Sequence, residues 1–165
     1  MTRKLILMRH AKSDWDDPTL SDKERILNPR GRQSAAALGD WLRAKNLAPD
    51  LALISSSQRT RETWDLLGLD CEHLFLDPLY HASADRIETV IQTNGNEAQT
   101  VLLIAHNPGI GSYANHLQRD TKDPDFARYP TGATAVFNCE ITNWSKLHAT
   151  NCHLADFITP RQLTK

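Results

Sequence analysis

The sequence predicts an α/β fold: a three-layer α/β/α sandwich around a mostly parallel central sheet with an antiparallel edge. Three observations predict it. The runs Leu5–Met8, Leu51–Ile54 and Val101–Ala105 are apolar throughout instead of alternating, the pattern of strands buried on both faces. Helical patterns lie between them, and strands alternating with helices build parallel sheets covered on both sides. The tail then changes character: Thr134–Cys139 and Leu147–Leu154 read as strands around a turn at Asn143-Trp144-Ser145, which suits a hairpin at the sheet edge.

Each helix carries its own signals. Asn28 is placed to cap and Pro29 to fill the first turn of a helix whose apolar face is Ala35, Leu38, Trp41 and Leu42, ending near Lys45. A second spans Gln58 to Leu67 and stops at Gly68. A third follows Ser83, turns Ile87, Val90 and Ile91 inward and stops near Gly95. A fourth begins at Asn107-Pro108 and carries Ile110, Tyr113, Ala114 and Leu117. Ser13–Glu24, rich in Asp, and Arg119–Pro130, rich in charge and proline, read as loops. With no repeat or linker, the 165 residues are expected to form a single domain over 1–165.

Composition narrows the function. An apolar share of 40% and a charged share of 24% give a soluble globular balance. The net charge of −1 supplies no broad basic field for nucleic acid or an anionic membrane, so any bound anion needs a local cluster of charge. The apolar run after Met-Thr-Arg-Lys ends at Met8, too short for a signal peptide or a membrane span, so a cytoplasmic location is expected. Cys71, Cys139 and Cys152 form no CxxC and are expected to be reduced thiols.

In sheets of this kind ligands bind beyond the carboxyl ends of the strands. The first apolar run leads into Arg9-His10, the second through Ser55-Ser56-Ser57-Gln58 to Arg59, and the third into His106 and Asn107-Pro108-Gly109. Two Arg and two His therefore fall on one rim. Arg grips phosphate oxygens with paired hydrogen bonds, and two of them offset a dianion and the charge that spreads during transfer. The free amides of the helix start after His106 also favour an anion. One imidazole can attack phosphorus while the other donates a hydrogen bond to an oxygen. Neither H-x-H nor H-E-x-x-H occurs, and two Arg repel a cation, so no metal and no cofactor is expected.

Leu7-Met8-Arg9-His10-Ala11-Lys12-Ser13, Ser55-Ser56-Ser57-Gln58-Arg59-Thr60-Arg61-Glu62-Thr63 and Ile104-Ala105-His106-Asn107-Pro108 resemble, in order and spacing, the three signature blocks of the histidine phosphatase superfamily, also called the phosphoglycerate mutase-like fold. The short length, Leu27-Asn28-Pro29-Arg30-Gly31-Arg32 and Leu79-Tyr80-His81-Ala82-Ser83 look most like its SixA-type phosphohistidine phosphatase branch. The resemblance implies that His10 is the nucleophile and that Arg9, Arg59 and His106 form the phosphate pocket. Ser13, Asn107 and His81, standing in or beside these blocks, are the further substrate contacts expected.

Two departures shape the expected substrate. Many superfamily members carry a glutamate in the fourth block as general acid, whereas Tyr80-His81-Ala82-Ser83 has no carboxylate before Asp85. Many mutase-like members carry Asn where this chain has Asp16. An alcohol leaves poorly without a proton, whereas the imidazole of a phosphohistidine can leave as a neutral ring. The expected function is therefore hydrolysis of phosphohistidine on a protein, releasing inorganic phosphate. A phosphatase for a small phosphomonoester is the alternative, with His81, Asp14 or Asp16 as proton donor; a non-catalytic phosphoprotein binder is the third reading.

Overall fold

The computed structural model describes residues 2–164. Six strands form one sheet: β1 (Arg3–Arg9), β2 (Leu51–Ser55), β3 (Glu72–Leu76), β4 (Thr100–Ala105), β5 (Thr134–Cys139) and β6 (Cys152–Ile158), in the spatial order β3-β2-β4-β1-β5-β6. β3, β2, β4 and β1 run parallel, β5 runs against β1, and β6 pairs antiparallel with β5 at the edge.

Helices α1 (Pro29–Ala44) and α2 (Gln58–Leu67) pack on one another, as do α3 (Ala84–Asn94) and α4 (Gly109–Leu117). They cover opposite faces of the sheet, because alternate residues of each central strand enter different cores. Leu5, Leu7, Leu53 and Leu103 pack with Ile87, Ile91 and Ile110. Ile6, Met8, Ile54 and Ile104 pack with Leu38, Leu42 and Leu67. Both sets are fully buried, which explains why those runs are apolar at every position. Each such side chain contributes about 1.5–3 kcal/mol by leaving water. The helix starts follow the sequence: Asn28 accepts from the Gly31 amide, Ser57 from Thr60 and Ser83 from Arg86.

The structure departs from the expected elements in several places. β6 begins at Cys152, not Leu147: residues 144–151 are occupied by two single-turn 3-10 helices, Trp144–Lys146 and Ala149–Asn151, whose starts are capped by Asn143 and His148. β3 has no counterpart in the sequence reading. The expected loop Arg119–Pro130 contains α5 (Pro124–Arg128), capped by Asp123, and Ser13–Glu24 ends in a 3-10 turn, Asp22–Glu24. The chain closes with α6 (Pro160–Leu163). Among the described residues no helix is long and apolar enough to cross a membrane.

Candidate active site

The register of β1 and β4 builds the centre of the site. Arg9 lies opposite Ala105 in a parallel pair, so the residues that follow, His10 and His106, leave the sheet side by side. Their ring centroids are 5.3 Å apart. The His10 amide donates to the Ala105 carbonyl (3.2 Å), and the Gly132 amide donates to the carbonyls of Arg9 and His10 (3.1 and 2.9 Å), fixing the strand end on both sides. Thr63 on α2 accepts from the Ala11 amide (3.1 Å) and donates to the Arg59 carbonyl (2.8 Å), tying the loop after His10 to the helix that carries Arg59.

The hydrogen bonds of His10 settle its tautomer. Its Nδ1 lies 2.7 Å from the Ala11 carbonyl oxygen. A carbonyl can only accept, so Nδ1 carries the proton and Nε2 keeps its lone pair. Burial pushes the His10 pKa well below the ordinary value. The bond to Ala11 works against this, and the charges of His106, Arg59 and Arg9 work with it. His106 is lowered to about 3, first by burial, then by Arg59 and His81, with Asp22 opposing. Its Nδ1 stands 3.3 Å from Arg59 Nη2, and its Nε2 2.7 Å from the Ser55 hydroxyl. A guanidinium can only donate, so Nδ1 of neutral His106 accepts from Arg59 and Nε2 carries the proton, which it donates to the Ser55 hydroxyl.

Arg9 is partly buried and Arg59 is buried. The Arg9 pKa is lowered by burial and by the charge of Arg59. Arg9 donates from Nη1 to the Tyr129 carbonyl (3.2 Å). Among the described residues three buried side-chain nitrogens lack a hydrogen-bond partner, and two are the Nε atoms of Arg9 and Arg59. A buried donor left unsatisfied costs about 1–3 kcal/mol, a cost the fold carries at two guanidinium groups whose charges bear on His10.

The sequence reading missed Asp22. Its backbone carbonyl accepts from Arg59 Nη1 (2.6 Å), and its Oδ2 accepts from Arg59 Nη2 (3.1 Å) and from the Tyr80 hydroxyl (2.5 Å). Its Oδ1 accepts from Arg25 Nη2 (2.7 Å). Burial alone would raise the Asp22 pKa, but the hydrogen bonds from Tyr80 and Arg25 and the charge of Arg59 hold it well below the usual carboxylate range. Arg25 in turn lies 3.4 Å over the exposed ring of Trp15.

The three further contacts expected have different surroundings. His81 stands at the mouth, largely exposed, 3.7 Å from Asp22 Oδ2 and stacked with His106 at 6.3 Å. Gly109 brings its loop in: a Cβ there would sit 1.8 Å from the Ala82 carbonyl oxygen. Ser13 is buried and accepts from Arg25 (2.7 Å). Asn107 spends its side chain on the fold: Nδ2 donates to the carbonyls of Arg128 and Tyr129, and Oδ1 accepts from the Gly111 amide. The start of α4 is therefore less open to an anion than expected, because Ile110 and Gly111 donate to His106 and Asn107. Of the other proton donors expected, Asp14 accepts from the Asp16 amide (2.7 Å), and both stand in an exposed turn.

Comparison with known proteins agrees with this geometry. The profile of the histidine phosphatase superfamily (branch 1) matches residues 5–79, which include Arg9, His10 and Arg59. An uncharacterized protein of Mycobacterium leprae (strain TN) is 32% identical over 162 residues, covering 93% of this chain and 100% of that one. A candidate SixA phosphohistidine phosphatase from Nakamurella multipartitia superposes with a TM-score of 0.86 at 28% identity, covering 97% of both chains. Its counterpart from Agrobacterium tumefaciens gives 0.79 at 25% identity, covering 96% of this chain and 99% of that one. The chain belongs to the histidine phosphatase superfamily, in its SixA-type branch.

Proposed function

We propose that this chain is a phosphohistidine phosphatase that carries the phosphoryl group on Nε2 of His10 and acts on phosphohistidine in a protein. The observation that carries the reading is the His10 hydrogen bond to Ala11, which leaves the Nε2 lone pair free within reach of the charges of Arg9 and Arg59. The Nε2 lone pair forms a bond to phosphorus. The bond from phosphorus to the substrate nitrogen breaks, and its electron pair returns to the substrate ring, whose other nitrogen already carries a proton, so the ring leaves neutral. His10 then holds phosphate on Nε2 and a proton on Nδ1. Water displaces that ring in turn, forming a P–O bond; the electron pair returns to Nε2 and both protons of the water leave with dihydrogen phosphate. Arg9, Arg59 and His106 hold the oxygens through both steps.

The first step exchanges one P–N bond to imidazole for another, so it needs no general acid. That agrees with a mouth where Asp22, the carboxylate nearest Arg59, is held ionised and occupied by Tyr80 and Arg25. The reading includes a single domain, a cytoplasmic location and no metal: two guanidinium groups disfavour a cation, and turnover should survive EDTA undiminished. A loss in EDTA that a divalent ion restores would count against it.

A second reading, hydrolysis of a small phosphomonoester, is favoured by His81, whose ring stacks near His106 and is open to solvent. An alkoxide needs a proton that His81 could deliver. The deciding measurement is kcat/KM for a phosphohistidine peptide and an alkyl phosphate in wild type and His81→Ala. The first reading expects wild type to prefer phosphohistidine, and His81→Ala to harm the alkyl phosphate reaction more. A wild-type preference for the alkyl phosphate would overturn it.

A further inference from the structure

Beside the loop that follows His10 lies a basic cleft of about 260 Å3, lined by Lys12, Arg30, Arg128, Thr131 and Arg161, with Asp125 the one acid among the described residues that line it. Arg128 pairs with Asp125 at 2.6 Å. Among the described residues Lys12, Arg30 and Arg161 have no ion pair, and all three are exposed. In a chain of net charge −1, three uncompensated cations around one hollow are a local excess that the fold has to bring together from distant segments. Lys12 follows β1, Arg30 opens α1 and Arg161 lies on α6. Gly31 makes the first pairing possible: a Cβ there would sit 2.0 Å from the Lys12 carbonyl oxygen, so only glycine lets α1 abut this loop.

The cleft shares its frame with the catalytic rim. Lys12 stands two residues beyond His10, and the residue after Thr131, Gly132, donates its amide to the His10 carbonyl. The segments that line the cleft are thus continuous with those that hold His10 in place. The hollow takes one or two side chains and not a folded element. We infer that the cleft is a docking subsite for an acidic segment, Asp or Glu side chains next to the phosphohistidine of the substrate protein. The inference rests on the phosphohistidine reading for its substrate and on the cleft alone for its charge preference. Exposed cations of this kind raise encounter and lower KM without touching the chemical step.

The test uses two synthetic phosphohistidine peptides, one with glutamates flanking the phosphohistidine and one with glutamines, together with free phosphohistidine. At low salt the wild type should turn over the glutamate peptide with a kcat/KM about tenfold higher. In the Arg30→Glu/Arg161→Glu variant that ratio should fall to about two or below, through KM, with the rate on free phosphohistidine unchanged. No preference in wild type, or an equal loss on both peptides, would overturn the docking subsite. Calorimetry with the unphosphorylated peptides separates the two readings. If the glutamate peptide binds selectively and the variant abolishes this, the subsite stands even where phosphohistidine is not hydrolysed, and only the substrate reading falls. If neither peptide binds, or both bind alike, the subsite falls whatever the enzyme hydrolyses.

Discussion

Asp22 holds Arg59 by both ends of the guanidinium group, its backbone carbonyl on Nη1 and its carboxylate on Nη2. A carboxylate in that position steadies the arginine and also opposes an incoming dianion. The two effects separate in Asp22→Asn. Removing one negative charge a few ångströms from the bound anion, discounted for solvent screening at a partly exposed site, should tighten inhibition by tungstate about fivefold. kcat should fall as Arg59 loses its partner. Arg25 links Asp22 to Trp15, so anion binding to wild type should also change the Trp15 emission. A tungstate inhibition constant that stays level or rises in Asp22→Asn would show that the carboxylate only steadies the arginine.

His10→Ala should lose activity by several orders of magnitude while keeping the fold. Among the described residues the side chain's only hydrogen bond is local, to the next residue, so little packing depends on it. Near-normal turnover in a variant with a native circular dichroism spectrum would remove His10 from the chemistry.

The depressed pKa of His106 ties stability to pH. An unfolded histidine takes its proton near pH 6.5, whereas His106 in the fold holds off until about 3. Between these values the unfolded chain binds more protons, so stability rises with pH across that window and is lost as pH falls through it. Urea unfolding at about pH 5 and about pH 7 should show a larger drop in wild type than in His106→Gln. Bound tungstate should shrink the drop, because an anion favours the protonated ring. Parallel pH curves for the two proteins would mean that His106 titrates as an ordinary histidine.

Tyr129 bears on the fold rather than the chemistry. Its hydroxyl donates to the Leu7 carbonyl (2.5 Å) and accepts from the Ala135 amide (3.1 Å), joining β1 to β5 from within the core. Tyr129→Phe keeps the ring and should cost about 1–3 kcal/mol by stranding buried backbone groups. Chemical denaturation measures this, and a change below about 0.5 kcal/mol, the size of an ordinary surface substitution, would show that the backbone finds other partners.

Arg9, His10, Arg59 and His106 are legible as one cluster because parallel strands with apolar faces announce where they end, and these side chains stand on the last strand residue, one residue beyond it or one short turn beyond. Asp22 is not legible in that way. Its meaning comes from Arg59 and Tyr80, both remote in sequence, and the only local signal is the Ser21–Glu24 capping pair that shapes its turn. β3 escapes for a different reason. At the sheet edge its Glu72 and His73 are exposed, so the strand lacks the unbroken apolar run of its neighbours. α5 is too short to show a helical period. The tail strand was placed too early because Leu147, buried against the main core, belongs to a turn and not to the ladder.

The flanking of β1 by β4 on one side and β5 on the other reaches into how the protein is made. A ribosome adding about 5–20 residues per second takes on the order of ten seconds to pass from β1 to β4. Through that interval Leu5 to Met8 have no sheet to enter, and His10 has neither His106 beside it nor the Gly132 amide on its carbonyl. A growing chain therefore offers a chaperone an apolar strand long before it offers a substrate a pocket, and binding of a phosphoryl group waits until both late strands have been delivered.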